Sequence, residues 1–408
     1  PGVDMVMLTG SIDTAQMFHS WKPSMHLNAE TSGKNAIVIT ASADIDQAIK
    51  ELVKSAFGHA GQKCSAASLA IIEASVYDDP TFHVRLADAV RSLPVGAATD
   101  FTNMVGPVIS PPTGNLLRAL TSLEQNETWL VEPREIDDTT FTPGVRKEVK
   151  PNSWFHLTEC FGPVLGLMRA QDLTHALQLQ NATDYGLTGG LQSLDPKEIA
   201  YWLANVQVGN AYVNRHITGA IVQRQPFGGW KKSSIGSGLK PGGPNHLSGY
   251  GNWTDQNLNV GAAIIDYASE WNNYFTHEHD PTNLKSEANI LRYIPIEKVF
   301  VRCSDPTAPE IDLMRAASAL TGVPLEISVH SDESEAALGN RMSRSQGEMR
   351  LRLLAPATDE LFELAHKASI TVDPAPVTGC GRIELTHWIK EQAISRTMHR
   401  YGRLLDQS

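Results

Sequence analysis

Apolar residues recur three and four apart from position 45. Ile45, Ala48, Ile49, Leu52, Val53, Ala56 and Phe57 lie on one helical face and predict an amphipathic, packed helix. Asp44 can cap it, with Gln47 three residues on, and Gly58 and Gly61 end it. Short apolar runs at residues 3–8, 36–40, 69–72, 164–167 and 211–214 read as buried strands, and residues 13–20, 82–93, 173–180 and 196–205 as helices. Strands alternating with helices predict an α/β fold with a largely parallel sheet. Residues 226–251 are rich in Gly, Ser, Lys and Pro and read as loop and boundary, and residues 252–295 show no clean period. A second α/β unit is expected from residue 297, with strands at 297–302, 325–329 and 349–354 and helices at 310–321 and 360–368.

Composition narrows the class. The 408 residues suffice for two to three domains, and 41% hydrophobic with 19% charged residues is ordinary for a globular chain. A net charge of −11 argues against non-specific nucleic-acid binding. The four cysteines, Cys64, Cys160, Cys303 and Cys380, form no CxxC pair and no disulfide scaffold, which points to a reducing, cytoplasmic setting. No apolar run is long enough to span a bilayer, and no secretory signal opens the chain. The sequons at Asn126 and Asn252 therefore carry little weight. The histidines lack paired-ligand spacing, so no metal is expected.

The chemistry concentrates in Gly61-Gln62-Lys63-Cys64-Ser65. A lone cysteine is as often a small buried hydrophobe as a nucleophile. Here Gly61 permits an unusual backbone, and Ser65, Ala66 and Ala67 keep space around the sulfur. A thiol near a helix start, with amides aimed at it, would be the more nucleophilic form. Glu30, followed by small residues and Gly33, could serve as a general base; its bland alternative is a solvated surface carboxylate. Thr9-Gly10-Ser11 after a buried strand could be a plain turn, or could present amides and a hydroxyl to a phosphate. Gly236-x-Gly238, with Gly242 and Gly243, lacks a preceding strand and is rejected as a dinucleotide loop.

In combination these motifs resemble the aldehyde dehydrogenase superfamily. Five pieces come in the family's order: Leu8-Thr9-Gly10-Ser11; Glu30 with Gly33-Lys34-Asn35; Gly61-Gln62-Lys63-Cys64; Glu159-Cys160-Phe161-Gly162-Pro163-Val164; and Pro226-Phe227-Gly228-Gly229. The resemblance covers about residues 1–250. It implies an aldehyde dehydrogenase-like fold with a Cys64 nucleophile, a Glu30 base and an NAD-type cofactor. Gly10 and Ser11 would meet the cofactor pyrophosphate, Glu159 the nicotinamide ribose, and Phe161 would lie close by.

Lys63, Ser65 and Thr218-Gly219-Ala220 are similar to glutamate-semialdehyde (1-pyrroline-5-carboxylate) dehydrogenases, which act in proline catabolism. The resemblance implies that Ser65, Gly219 and Ala220 hold the substrate α-carboxylate, with Phe227 also lining the substrate site. Residues 395–402 resemble the C-terminal end of the bifunctional proline utilisation A proteins. The domains expected on this basis are a nucleotide-binding remnant at 1–32, a catalytic domain at 33–230, a glycine-rich linker at 231–255, and a C-terminal α/β domain for assembly at 256–408. The resemblance also implies a homo-oligomer and, upstream, more of the nucleotide-binding domain, with or without a fused proline dehydrogenase. The residues that choose between NAD and NADP, the oxyanion-hole asparagine and a ribose-binding lysine would lie before Pro1. On that expectation the isolated chain is inactive, and its first strand exposes an unpaired edge. Two other readings fit the residues: an aldehyde dehydrogenase of another substrate class, and an assembly fragment that does no chemistry.

Overall fold

Asp44 accepts a hydrogen bond from the Gln47 amide at 3.3 Å, and the amphipathic helix begins there as expected. In the computed structural model, residues 2–251 and 253–405 are described; Pro1, Asn252 with its sequon, and residues 406–408 lie outside the described residues. The first elements are strand β1 (Val6–Thr9), helix α1 (Ile12–Trp21), strand β2 (Leu27–Glu30), strand β3 (Asn35–Ile39), helix α2 (Ile45–Phe57) and strand β4 (Ala67–Glu73). Contacts divide the chain into two compact units. One comprises residues 1–31, 221–282 and 289–393, the other residues 32–220, 283–288 and 394–408.

The second of these units is built on a sheet with β3 and β4 at its centre. The order runs Asn210–Val213, Thr188–Gln192, β3, β4, Val164–Ala170, Gly144–Lys147 and Thr128–Val131. All pairs are parallel except the last. Ile37 on β3 lies in register with Ala70 on one side and Gly190 on the other. The strands are buried on both faces and so read as continuous apolar runs rather than alternations. Ile37, Leu52, Phe57, Ile72, Phe82 and Leu165 form one core. Each such side chain contributes about 1.5–3 kcal/mol by leaving water.

Among the described residues, two sheets lie wholly within the other unit. In the smaller, β2 pairs in parallel with β1 and antiparallel with Ser234–Ile235. β1 is thus an edge strand, hydrogen-bonded to β2 alone among the described strands, and its Met7 is 70% exposed. The larger is a four-stranded parallel sheet in the order Leu325–Val329, Lys298–Cys303, Met349–Leu354 and Thr371–Asp373. It is flanked by helices including Pro309–Thr321 and Asp359–Lys367, which agrees with the expected second α/β unit.

Several elements depart from the sequence expectations, and three show why. β2 carries only Leu27 and Ala29 inward, too short an alternation to stand out. Residues 226–251, expected as loop and boundary, supply Ser234–Ile235 to the small sheet and belong to the same unit as residues 1–31. A short strand therefore does precede Gly236-x-Gly238, but only the 3-10 turn His246–Tyr250 follows, so no helix opens on those glycines. The aperiodic stretch after residue 252 contains the helix Val260–Glu270, which buries only Ala263 and Tyr267, a stripe too narrow to register as a period.

Candidate active site

Cys64 follows a tight left-handed passage. After α2 the chain turns through Gly58–Gly61 with positive φ at His59 (56°), Ala60 (53°) and Gly61 (68°). A side chain at Gly61 would collide with the carbonyl of Gly162, so glycine is required there both by conformation and by space. The Ala66 amide then closes a turn on the Lys63 carbonyl at 2.9 Å, and β4 begins at Ala67. No helix starts at Cys64, which corrects that expectation: the apolar run after the thiol is drawn into the sheet beside β3.

The thiol's turn is clamped by Asn35. Its side-chain amide donates to the carbonyls of Cys64 (2.7 Å) and Ala66 (3.0 Å), while its Oδ1 accepts from the Thr188 amide at 3.0 Å. Thr188 Oγ1 adds a bond to the Ser65 carbonyl at 3.3 Å. Gly33 packs so closely that an added Cβ would stand 2.8 Å from the Cys64 carbonyl oxygen. The Gly33 amide donates to Glu159 at 2.8 Å. The structure thus brings Cys64, Ser65, Gly33 and Glu159 into one cluster around Asn35. Asn35 was legible in the sequence as part of a motif, but its role as clamp was not.

Lys34 lies in the same unit with its ammonium 4.1 Å from the Phe155 ring centroid and without a hydrogen-bond partner. Burial pulls its pKa down to about 8, against the opposing influence of Cys160 and Glu159. Phe161 is 40% exposed at φ 53°, and its carbonyl accepts from Gln62 at 3.2 Å. Cys160 is buried, and burial pushes its thiol pKa up, so it is the poorer nucleophile candidate.

Glu30 ends β2 in the other unit. Its Oε2 accepts from the Gly229 amide at 3.2 Å, next to Gly228 and Phe227. Burial raises its pKa to about 7, opposed by the positive charge of Lys240 and by the Gly229 bond. Lys240 is itself pulled down by burial, and its Nζ donates to the Gly228 carbonyl. Neither Lys240 nor its partner Glu391 was singled out from the sequence. A lysine inside a glycine-rich stretch resembles any solvated loop residue, and the strand that carries Glu391 was not anticipated.

The remaining expected site residues are placed as follows. Gly10 and Ser11 are exposed at the N-terminus of α1, where Ser11 Oγ accepts from the Thr14 amide at 3.2 Å. Gly219, at φ 80°, and Ala220 are exposed beyond Ile217, and an added Cβ at Gly219 would meet open space. Phe227 is half-buried, with its amide bonded to the Pro241 carbonyl at 3.0 Å. Among the described residues no group of His, Cys, Asp or Glu could hold a metal ion, and no helix is long and apolar enough to cross a membrane.

Comparison with known proteins identifies the family. Residues 1–254 match the model of the aldehyde dehydrogenase family, and the chain belongs to that family. It is 36% identical over 258 residues to the 1-pyrroline-5-carboxylate dehydrogenase of Geobacillus sp. (strain WCH70), covering 60% of this chain and 49% of that protein. It is 37% identical over 222 residues to the enzyme of the same name from Bacillus subtilis (strain 168), covering 54% and 42%. Among solved structures, proline utilization A from Corynebacterium freiburgense superposes with a TM-score of 0.91 at 43% identity, over 99% of this chain and 43% of that chain. A Thermus 1-pyrroline-5-carboxylate dehydrogenase with bound NAD gives a TM-score of 0.55 at 32% identity, over 60% and 49%. The chain spans about half the length of the curated relatives it matches.

Proposed function

We propose that this chain supplies the catalytic thiol and base for oxidation of L-glutamate γ-semialdehyde to L-glutamate in proline catabolism. The observation that carries the reading is the clamp of Asn35 on Cys64, beside the Gly33–Glu159 bond. A thiol held on a rigid turn meets the positional demand of covalent catalysis. Names of the similar proteins, 1-pyrroline-5-carboxylate dehydrogenase and proline utilization A, support the substrate.

Cys64 Sγ attacks the aldehyde carbon, and its backbone amide is a donor for the developing oxyanion. A nicotinamide cofactor, when bound, accepts the hydride that leaves the adduct carbon. The residues fit such a group. α1 is a ten-residue helix whose exposed N-terminus suits a pyrophosphate, and the Glu159 carboxylate, fixed by Gly33, suits a ribose hydroxyl. Phe161 stands exposed nearby in sequence. We assign NAD rather than NADP by analogy with the NAD-bound Thermus structure.

Hydride loss leaves a thioester on Cys64. Glu30 takes a proton from water, the resulting hydroxyl adds to the thioester carbon, and the C–S bond breaks to release the acid and the thiol. A carboxyl with a pKa near neutrality is matched to this work. Ser65 with the exposed Gly219 and Ala220 would hold the α-carboxylate through amides and a hydroxyl, and Phe227 would pack on the aliphatic stem. We further assign residues 1–32 to the nucleotide-binding domain, residues 33–230 to the catalytic domain, and residues 256–408 to a C-terminal domain that serves assembly.

The test uses the full-length protein. Cys64→Ala should abolish aldehyde oxidation, and Glu30→Gln should permit one burst of reduced cofactor and then stall as thioester. Turnover by Cys64→Ala at the native rate would refute the assignment.

A further inference from the structure

We infer that Lys240 is a positioning residue for Glu30 and that Glu391, on the strand Ile389–Thr397, holds Lys240 in place. The inference rests on Glu30 being the base proposed above. It gives part of the segment read from the sequence as an assembly domain a share in the chemistry.

The geometry is a chain of buried contacts within one unit. Lys240 is 1% exposed. Its Nζ donates to the Gly228 carbonyl, and the next amide along, Gly229 N, donates to Glu30 Oε2 at 3.2 Å. Gly228 is held between the two side chains: a Cβ built there would stand 3.0 Å from Glu30 Oε1 and 3.2 Å from Lys240 Cγ. The lysine thus fixes the peptide that orients the carboxyl. On its other side the Lys240 amide donates to Glu391 Oε2 at 2.8 Å. Glu391 Oε1 accepts from Asn245 at 2.7 Å, and Asn245 also reaches Tyr293 Oη at 3.1 Å. The Glu391 carbonyl accepts from Trp230 Nε1 at 2.9 Å, bracing the residue that follows Gly229. The Glu391 bond goes to the backbone of residue 240, and what marks the side chain is its ammonium on the Gly228 carbonyl, beside the base.

The electrostatics give the arrangement a consequence. Burial disfavours the Glu30 carboxylate, and the Lys240 charge opposes that effect. Lys240 is kept charged against its own burial by Glu30, Glu391 and Glu348. Other groups in this field include Tyr250, influenced by Glu30, Tyr293 and Arg382, which act with or on Glu391, and the buried Arg350, which feels Glu391 and Glu348. Removing the lysine charge leaves the desolvation of Glu30 uncompensated, so the ionised base becomes scarcer at neutral pH.

The experiment follows the first-turnover burst of reduced cofactor and the steady-state rate from pH about 6 to about 9 in the full-length protein. Lys240→Met should retain the burst, while the acid limb of kcat moves up by about one pH unit or more. Glu391→Gln should move it in the same direction by less, and Lys240→Arg, which keeps the charge, should leave it in place. Glu391→Gln preserves shape and carries the test if Lys240→Met does not fold. A uniform fall in kcat with an unmoved limb in both neutralising variants, while Glu30→Gln still stalls after the burst, overturns this inference alone. Native turnover by Glu30→Gln would instead overturn the assignment of the base and this inference with it.

Discussion

Asn35 donates its side-chain amide to the Cys64 carbonyl at 2.7 Å, so the backbone of the candidate nucleophile is held by a neighbouring strand rather than by its own turn. The same side chain satisfies the Ala66 carbonyl and the Thr188 amide, both at buried positions. Asn35→Ala removes three hydrogen bonds to backbone groups. It should cost about 1–3 kcal/mol of stability per unsatisfied group at most, and should alter the alkylation rate of Cys64. Urea unfolding and iodoacetamide kinetics check both effects. Unchanged values in both would mean that the clamp is redundant.

Gly61 at φ 68° is a second point of constraint. Gly61→Ala places a methyl against the Gly162 carbonyl in a conformation that alone costs about 1–3 kcal/mol. A drop in melting temperature is therefore expected, together with slower Cys64 alkylation, since the turn leads directly into the thiol. Gly58→Ala, where an added Cβ meets nothing and φ is negative, serves as the tolerated comparison. Equal melting temperatures for the two variants would refute the argument.

The strands β3 and β4, the helix α2 and the later parallel unit were legible because burial on both faces, or on one wide helical stripe, writes long apolar patterns. β2 and the helix Val260–Glu270 were not, since each buries only two side chains. Cys64, Glu30 and Glu159 were legible as residue types in ordered motifs. The Asn35 clamp and the Lys240–Glu391 pair were not, because hydrogen bonds between residues distant in sequence leave no period. Partnered buried charges look like surface charges until the fold is known.

Glu30 should set a pH dependence of stability. Its folded pKa is raised from 4.5 to about 7, so between those values the folded state binds more protons than the unfolded chain. Stability from this group is present below pH 4.5 and is lost as pH rises toward 7. Glu30→Gln removes that loss. The variant should gain on the wild type in urea midpoint as pH rises through the window, and a constant difference across it would contradict the assignment.

His19 works in the opposite direction. Its ring stacks on His366 at 3.8 Å between centroids, and His366 Nε2 lies 2.9 Å from the Pro23 carbonyl oxygen. Burial, then the His366 charge, lowers the His19 pKa from 6.5 to about 4. In that interval the unfolded chain binds more protons, so stability rises with pH and is lost on acidification from 6.5 toward 4. His19→Phe keeps a stacking ring and removes the titration. Its unfolding midpoint should fall less than that of the wild type between these pH values; parallel curves would exclude His19 as a source of acid lability.

Arg352 and Glu384 form a fully buried ion pair at 2.6 Å beneath the parallel sheet of the 289–393 segment. Arg352 also donates to the Ala375 and Pro376 carbonyls, and Glu384 accepts from the Thr378 amide. Breaking such a pair from one side costs about 3–5 kcal/mol where no second partner remains, and here Asp373, 3.5 Å from the same guanidinium, offsets part of it. Glu384→Ala should therefore destabilise this unit. Arg352→Met with Glu384→Leu, which removes both charges of the pair, should recover part of the loss, since Asp373 loses Arg352 but keeps His387 at 2.5 Å. The cycle is read by urea unfolding of the two variants and the wild type. If the double variant were as unstable as the single one, the backbone bonds made by the two side chains, rather than their charges, would be what the sheet requires.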